Sequence, residues 1–336
     1  MVLTHVLSAD LDFQVEFLKN LKERNLEQKF IYFGESAKLF YEGFRSEVKF
    51  ASADIPTVVE VVDELRRYMT LGKNSAVVSI GCGNSAMESQ VLPILQSEGF
   101  KFTYFGIDSS AGMLDLTREV MESQEFSTEL LLGDFSSSSF PEEVTELTSS
   151  FDNRVYLFFG NTIGNMTQTL AVDALYNILS PGEVVILESA VRQSLKKDDD
   201  LKIFRRVSAA LTNERQMNFF FHTLSNMNIP YQAGKMVLET IMEESIGAFN
   251  ARFSFEFSAP VIIHTKKEVI HFLPPERVKL VEVRYYHPET FIRFFEAHDF
   301  SLENVVQKNR RGLFTFRKEV NTSKIVTQSP EQPVVM

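Results

Sequence analysis

The stretch Ala76–Ser89 reads AVVSIGCGNSAMES. A short, largely apolar strand, AVVSI, runs into Gly81 and Gly83, and Ala86 completes the spacing G-x-G-x-x-A. Glycines there let the backbone turn tightly and meet a ligand with no Cβ in the way, at the N-terminal end of the helix that follows. The spacing suits dinucleotides and S-adenosylmethionine alike, and it also suits a plain strand-to-helix turn with nothing bound.

Beyond this stretch the pattern repeats. Apolar runs at FTYFGI (102–107), TELLL (128–132), VYLFF (155–159) and EVVILES (183–189) alternate with amphipathic segments at 85–98, 111–123, 141–149 and 167–179. Strands that are apolar throughout belong to a parallel sheet covered on both faces. The expected fold is α/β: a doubly wound, mostly parallel, Rossmann-like sheet. Residues 10–70 look helical, with Phe13, Phe17, Leu18 and Leu21, then Val58, Val61, Val62 and Leu65, at helical spacing and Pro56 near the start of the second segment. A helical stretch at 198–227 precedes strand-like runs from Met236 to Val283, a helix at 288–298 and two strands at 300–307 and 312–318. These shifts predict a core of 61–194 and 286–320, and an added α+β region of 1–60 and 195–285 that takes substrate. The tail 321–336 is expected to be mobile.

Composition narrows the function classes. The chain has 336 residues, 44% of them apolar, which is ample for a core. A net charge of −11, with no basic cluster longer than KK or RR, argues against a nucleic-acid partner. One cysteine, Cys82, excludes a disulfide framework and a cysteine zinc site and suits a reducing compartment. No basic, apolar leader opens the chain and no stretch approaches about 18 apolar residues, so a cytoplasmic protein with no membrane partner is expected. The six histidines lack ligand spacing, and no metal is expected. The DDD run at 198–200 reads as a helix N-terminus, NFFFH and FSFEF as core, and Cys82 as a small filler.

Candidate ligand contacts follow at the strand ends. FGIDSS places Asp108 and Ser109 where a carboxylate can accept hydrogen bonds from ribose hydroxyls. LLLGDF sets Asp134 and Phe135 where an acid and an aromatic ring suit the amine and face of adenine, although a loop cap and a core ring are the plainer reading. No residues assign themselves to hydride transfer or to a second nucleotide, so methyl transfer leads over nicotinamide chemistry. In RVYLFFGNTIGNM (Arg154–Met166) the fourth strand ends at Phe159, after which Gly160 and Gly164 let the backbone lie against cofactor and substrate. Asn165 offers donors and acceptors to a carboxylate and an amine together; alternatively these asparagines merely turn back on their own loop.

GCGNSAMES, FGIDSS, LLLGDF and above all FFGNTIGNM resemble elements of the histidine-specific N-alpha-methyltransferase family of ergothioneine biosynthesis, a class I S-adenosylmethionine-dependent fold. Gly160–Asn165 matches that family's G-[S/T]-T-I-G-N signature at five positions of six. FIYFGESAKLFYE (30–42) and LVEVRYYHPETF (280–291) are similar to its N- and C-terminal segments, so the resemblance covers about residues 20–318. It implies that Asn165 holds the α-amino and carboxylate groups of an amino acid, that Tyr32 positions the amine, and that Glu282 accepts from a cationic or N–H-bearing side chain. Three positions depart from the pattern. Arg284 stands where the family has a serine that helps to recognise imidazole, and Met87 replaces a lysine after the glycine loop. Phe204 is the nearest aromatic to an expected tyrosine and cannot donate a hydrogen bond. If Arg284 points into the pocket, it pairs with Glu282 or binds an acidic group; a surface position on a strand edge is the alternative.

Taken together, the residues predict an S-adenosylmethionine-dependent N-methyltransferase acting on a small amino acid or amino-acid-derived amine. Asn165 and Tyr32 are the expected catalytic residues. Tyr32, Asn165, Glu282, Arg284 and Phe204 are expected at the substrate; Gly81, Gly83, Asp108, Ser109, Asp134, Phe135, Phe159 and Gly160 at the cofactor. A nicotinamide-dependent oxidoreductase and a non-catalytic module of the same fold are the competing readings, and oligomeric state is left open.

Overall fold

A computed structural model describes residues 2–6, 13–32, 36–37, 39, 58–135, 137–265 and 268–320. The tail expected at 321–336, Pro56, and most of the 30–42 segment beyond Tyr32 lie outside the described residues. In chain order come β1 (Val2–Val6), α1 (Phe13–Lys22), a 3₁₀ turn (Gln28–Tyr32), α2 (Val58–Tyr68), β2 (Asn74–Ile80), α3 (Glu88–Ser97), β3 (Lys101–Asp108) and α4 (Ala111–Met121). Next are β4 (Ser127–Leu132), α5 (Phe140–Leu147), β5 (Asn153–Phe158), a 3₁₀ turn (Thr162–Asn165), α6 (Gln168–Ile178), β6 (Val184–Ala190), α7 (Lys197–Ser208) and α8 (Glu214–Ser225). The chain continues through β7 (Gly234–Glu243), β8 (Ala248–Phe257), β9 (Val261–His264), β10 (Val269–Phe272), β11 (Arg277–Tyr286), α9 (Pro288–Glu296), β12 (Phe300–Lys308) and β13 (Arg311–Lys318).

Eight strands form one sheet in the order β1-β4-β3-β2-β5-β6-β13-β12. From β1 to β6 all pairings are parallel, while β13 runs antiparallel to both β6 and β12. Alternation along each strand feeds two cores. Ala76, Val78 and Ile80 join Phe105, Tyr156, Phe158 and Leu187 beneath α5, α6 and α9. Val77, Tyr104, Leu157 and Ile186 pack on the other face against α2 and α3. Burial on both faces is why these strands read as continuous apolar runs. The order reverses between β2 and β5, the switch point at which doubly wound sheets open a crevice. Insertion of β13 between β6 and β12 departs from the dinucleotide-binding order, in which the sixth strand lies beside the fifth.

A second sheet, β11-β8-β7, is antiparallel and carries a phenylalanine-rich core with α8 and the 28–32 turn, where Phe219, Phe220, Phe253 and Phe255 are buried. Both Phe-rich runs are therefore core, as their composition suggests.

Two readings need correction. Residues 2–6, expected in the substrate region, add a parallel edge strand to the main sheet beside β4. The Asp198–Asp200 run does more than complement a helix dipole. Asp199 accepts from the Gln193 and Ser194 amides and pairs with Arg310, and Asp200 pairs with the buried Arg192.

Glu64 on α2, 2% exposed, ties that helix to the closing hairpin: Oε1 accepts from Thr315 Oγ1 and Oε2 from Asn304 Nδ2, each at 2.7 Å. Glu64→Ala leaves a buried hydroxyl without its acceptor, and a loss of about 2 kcal/mol is expected, read as a lower urea midpoint at unchanged slope. Adding Thr315→Val should recover part of that loss, because it removes the orphaned hydroxyl.

Candidate active site

The carboxyl ends of β2, β3, β4 and β5 meet around the glycine loop. Gly81 and Gly83 have φ of +62° and +55°, a backbone state that side-chain-bearing residues resist. A Cβ on Gly81 would sit 3.0 Å from Thr162 Cγ2, so the glycine loop and the signature loop touch at this point. Asp108, at the end of β3, accepts from Gly83 N through Oδ2 at 3.0 Å and from Ser110 N through Oδ1 at 2.9 Å. These donors, with the Ser109 amide, still leave acceptor capacity on a carboxylate. Burial pushes the Asp108 carboxyl up to about 6, against the pull of the Ser110, Gly83 and Ser109 amides. Beside it, Gly133 N donates to the Asp108 carbonyl, which brings the β4 end and Asp134 alongside. Half-buried Phe135 packs edge-on to Phe158, with 5.7 Å between ring centroids.

Within the signature loop the two asparagines differ. Asn161, 5% exposed, takes a left-handed φ of 60° and its Oδ1 accepts from Ala190 N at 2.7 Å, tying the loop to β6. Half-buried Asn165 forms no side-chain hydrogen bond with any of the described residues. Phe159 is buried among the α2–α3 core residues, and its carbonyl accepts from Thr162 Oγ1 at 2.8 Å. Gly160 N donates to Glu188 Oε2 at 3.1 Å.

The 28–32 turn crosses these strand ends. Ser110 Oγ donates to the Tyr32 carbonyl at 2.6 Å, and Lys29 Nζ reaches Asp134 Oδ2 and Glu16 Oε1, each at 2.7 Å. Burial alone would lower the Lys29 pKa, but the charge and hydrogen bond of Asp134, with Glu16 and Glu27, outweigh it and raise it. Asp134, expected to face an adenine amine, thus already holds an ammonium at one oxygen. Burial pushes the Tyr32 hydroxyl up to about 12, against a hydrogen bond from Gln28, with the Asp108 charge adding to the rise. It stays protonated at neutral pH.

Gln28 also joins the two sheets: its Oε1 accepts from Glu282 N at 3.2 Å. Glu282 on β11 pairs with Arg284 Nη2 at 3.1 Å, and Arg284 Nη1 donates to the Met166 carbonyl at 2.6 Å, next to Asn165. Tyr32, Glu282, Arg284 and Asn165 are therefore linked through Gln28 and the loop backbone. Arg284, 5% exposed, is a buried residue and not one on a surface edge. Phe204 is 40% exposed on α7, beside the inward-facing Ile203, and the expectation that it lines the substrate hollow finds no support in that placement. Met87, at the position of the family's lysine, immediately precedes α3. Composition did not single out Gln28, Lys29 or Arg252; for Gln28 and Lys29, adjacency to the FIYFGES segment was the one available signal.

Among the described residues no group of His, Cys, Asp and Glu is arranged to hold a metal ion, and no helix is long and apolar enough to cross a membrane.

No curated protein sequence matches the chain at a significant level. Solved structures similar to it include an S-adenosylmethionine-dependent methyltransferase from Clostridium acetobutylicum, at 12% identity over 84% of this chain and 99% of that one, with a TM-score of 0.45. Another, from Methanosarcina mazei, is 15% identical over 80% of this chain and 99% of that one, with a TM-score of 0.42. A family described as histidine-specific methyltransferase, SAM-dependent, matches residues 17–317. With that match running from α1 into β13 and so including the carboxyl ends of β2, β3, β4 and β5, the chain belongs to the histidine-specific, S-adenosylmethionine-dependent methyltransferase family.

Proposed function

We propose that the protein methylates the nitrogen of a small amino acid or amino-acid-derived amine, in the cytoplasm, and that the second sheet with its neighbouring helices is the substrate-binding region. The observation that carries this is the linkage of Tyr32, Glu282, Arg284 and the Asn165 loop beside the glycine loop and Asp108.

The residues at the strand ends fit S-adenosylmethionine. Gly83 and Gly160, both at positive φ, have open space where a Cβ would stand, and Asp108 keeps acceptor capacity for ribose hydroxyls. Gly81, Ser109, Asp134, Phe135 and Phe159 would complete the cofactor's surroundings. When bound, the cofactor supplies an electrophilic methyl group. The remaining work is positional, since alignment of donor and acceptor provides much of the rate in an in-line displacement. An α-amino group with a pKa of about 7.7–8.0 is partly neutral near neutral pH, so no strong base is needed. The Tyr32 hydroxyl, protonated at that pH, would orient the amine, and the Asn165 amide, free of protein partners among the described residues, would hold its α-substituents.

Two outcomes test this reading. Asn165→Ala should lower kcat/KM by about 10–100-fold, as expected for two lost hydrogen bonds, with the affinity for S-adenosylhomocysteine unchanged. Unaltered turnover on a mass-spectrometric amine panel would remove Asn165 from the substrate site. The second outcome concerns pH. Because burial pushes the Asp108 carboxyl up to about 6 and its ionised form is the stronger acceptor for a ribose hydroxyl, S-adenosylhomocysteine affinity should be flat above pH 7 and fall by up to about tenfold per unit below 6. Asp108→Asn should abolish that break, as followed by calorimetry.

A further inference from the structure

On the polar face of the second sheet, Glu282 and Arg284 alternate along β11, with Arg252 and Asn250 directly opposite on β8. Both oxygens of Glu282 are occupied: Oε1 by Arg252 Nη2 at 3.2 Å and Oε2 by Arg284 Nη2 at 3.1 Å, with Lys279 Nζ 3.7 Å from Oε2. A carboxylate already shared among three cations is poorly placed to accept an imidazole N–H. Glu243 is the next acid, 3.9 Å from Arg284 Nη2, and it already accepts from the Asn250 amide. Arg252, Arg284 and Lys279 thus gather around Glu282, with Glu243 at the edge of the cluster. Burial lowers the Lys279 ammonium; Glu282 and Glu27 oppose this, and Arg252 and Arg284 lower it further. Two donors remain orphaned, for the Nε–H groups of Arg252 and Arg284 are both buried without an acceptor. A native structure seldom leaves such donors unpaired.

We infer that this face recognises an anionic group on the substrate, so that the amine methylated is one bearing an acidic side chain, carboxylate or phosphate, instead of an imidazole. The inference rests on the methyl-transfer reading for its site but not for its test. Arg284 and Arg252 would supply the free Nε–H donors and the charge, Glu282 would hold the two guanidinium groups in place, and Arg284 would connect the anion to the Asn165 loop through Met166. Arg284 and Arg252 are thus specificity residues, and Glu282 is a positioning residue.

The decisive measurement is calorimetric binding to the S-adenosylhomocysteine complex of the full chain, using glutamate against glutamine, aspartate against asparagine, and O-phosphoserine against serine, with histidine as reference. At least tenfold tighter binding of one acidic member than of its neutral isostere and of histidine is expected. The pair that shows it separates carboxylate from phosphate. Arg252→Met, at a partly exposed position, and Arg284→Ser should each erase that preference, by up to about 100-fold, with Arg284→Lys retaining part of it. Thermal melts and cofactor affinity check that each variant is folded. Equal binding of acidic and neutral members, binding of neither, tighter binding of histidine, or a preference that survives both arginine substitutions overturns the inference. Acid-selective binding with no methylated product by mass spectrometry leaves it standing and removes the methyl-transfer reading.

Discussion

The close approach of Gly81 to Thr162 is the constraint on which the rest of the structure depends. Where the sheet order reverses, the chain leaving β2 turns toward β3 and the chain leaving β5 turns toward β6, so their loops part over the same gap. The two loops meet because Gly81 has no Cβ to hold Thr162 away and can adopt a positive φ. Asp108 then fixes Gly83 from the neighbouring strand, and its carbonyl fixes Gly133 at the next. Each of these strand ends is set by the one beside it.

The main sheet was largely legible in the sequence because its strands are buried on both faces and so cannot tolerate polar alternation. β1 escaped notice for the opposite reason. VLTHV is short, carries Thr4 and His5, and is held on one side alone, by β4. The helix ends shifted by a few residues for local reasons: the segment expected at 85–98 becomes helical at Glu88, once Ser85 has passed through a positive φ. Neither the register of β8 against β11 nor the bulge between Lys279 and Val281 has any signature in a single chain.

Site residues divide in the same way. Gly81, Gly83, Asp108 and Asn165 lie within motifs whose spacing implies a place at a strand end; the structure joins Gly83 to Asp108 and sets Gly81 against Thr162 of the loop that ends at Asn165. Gln28 has no such motif. Its contact with Glu282 spans 254 residues of sequence, and its meaning arises only when the 28–32 turn is laid across the second sheet. Arg252 is likewise visible only as the cross-strand partner of Glu282. Arg284 in place of a serine was visible, with pairing to Glu282 among its possible outcomes, but the burial that selects this outcome over a surface edge was not. A guanidinium buried beside a carboxylate changes the acceptor it pairs with as much as it adds a cation, and Glu282 cannot be read without it.

The one position where the signature differs, Asn161, holds the loop to the sheet. Asparagine tolerates the left-handed backbone there, and its short amide turns inward to accept the Ala190 amide at the end of β6. That inward turn places the amide where a Cβ on residue 164 would otherwise stand, with Oδ1 at 2.7 Å, so Gly164 is required by packing against Asn161 and not by its own φ. The adjacent Asn165 is thereby relieved of any structural task among the described residues. One asparagine holds the loop to the sheet and the other keeps its amide unengaged among the described residues, whereas a single asparagine in the loop would have to release the sheet before its oxygen could meet any other donor.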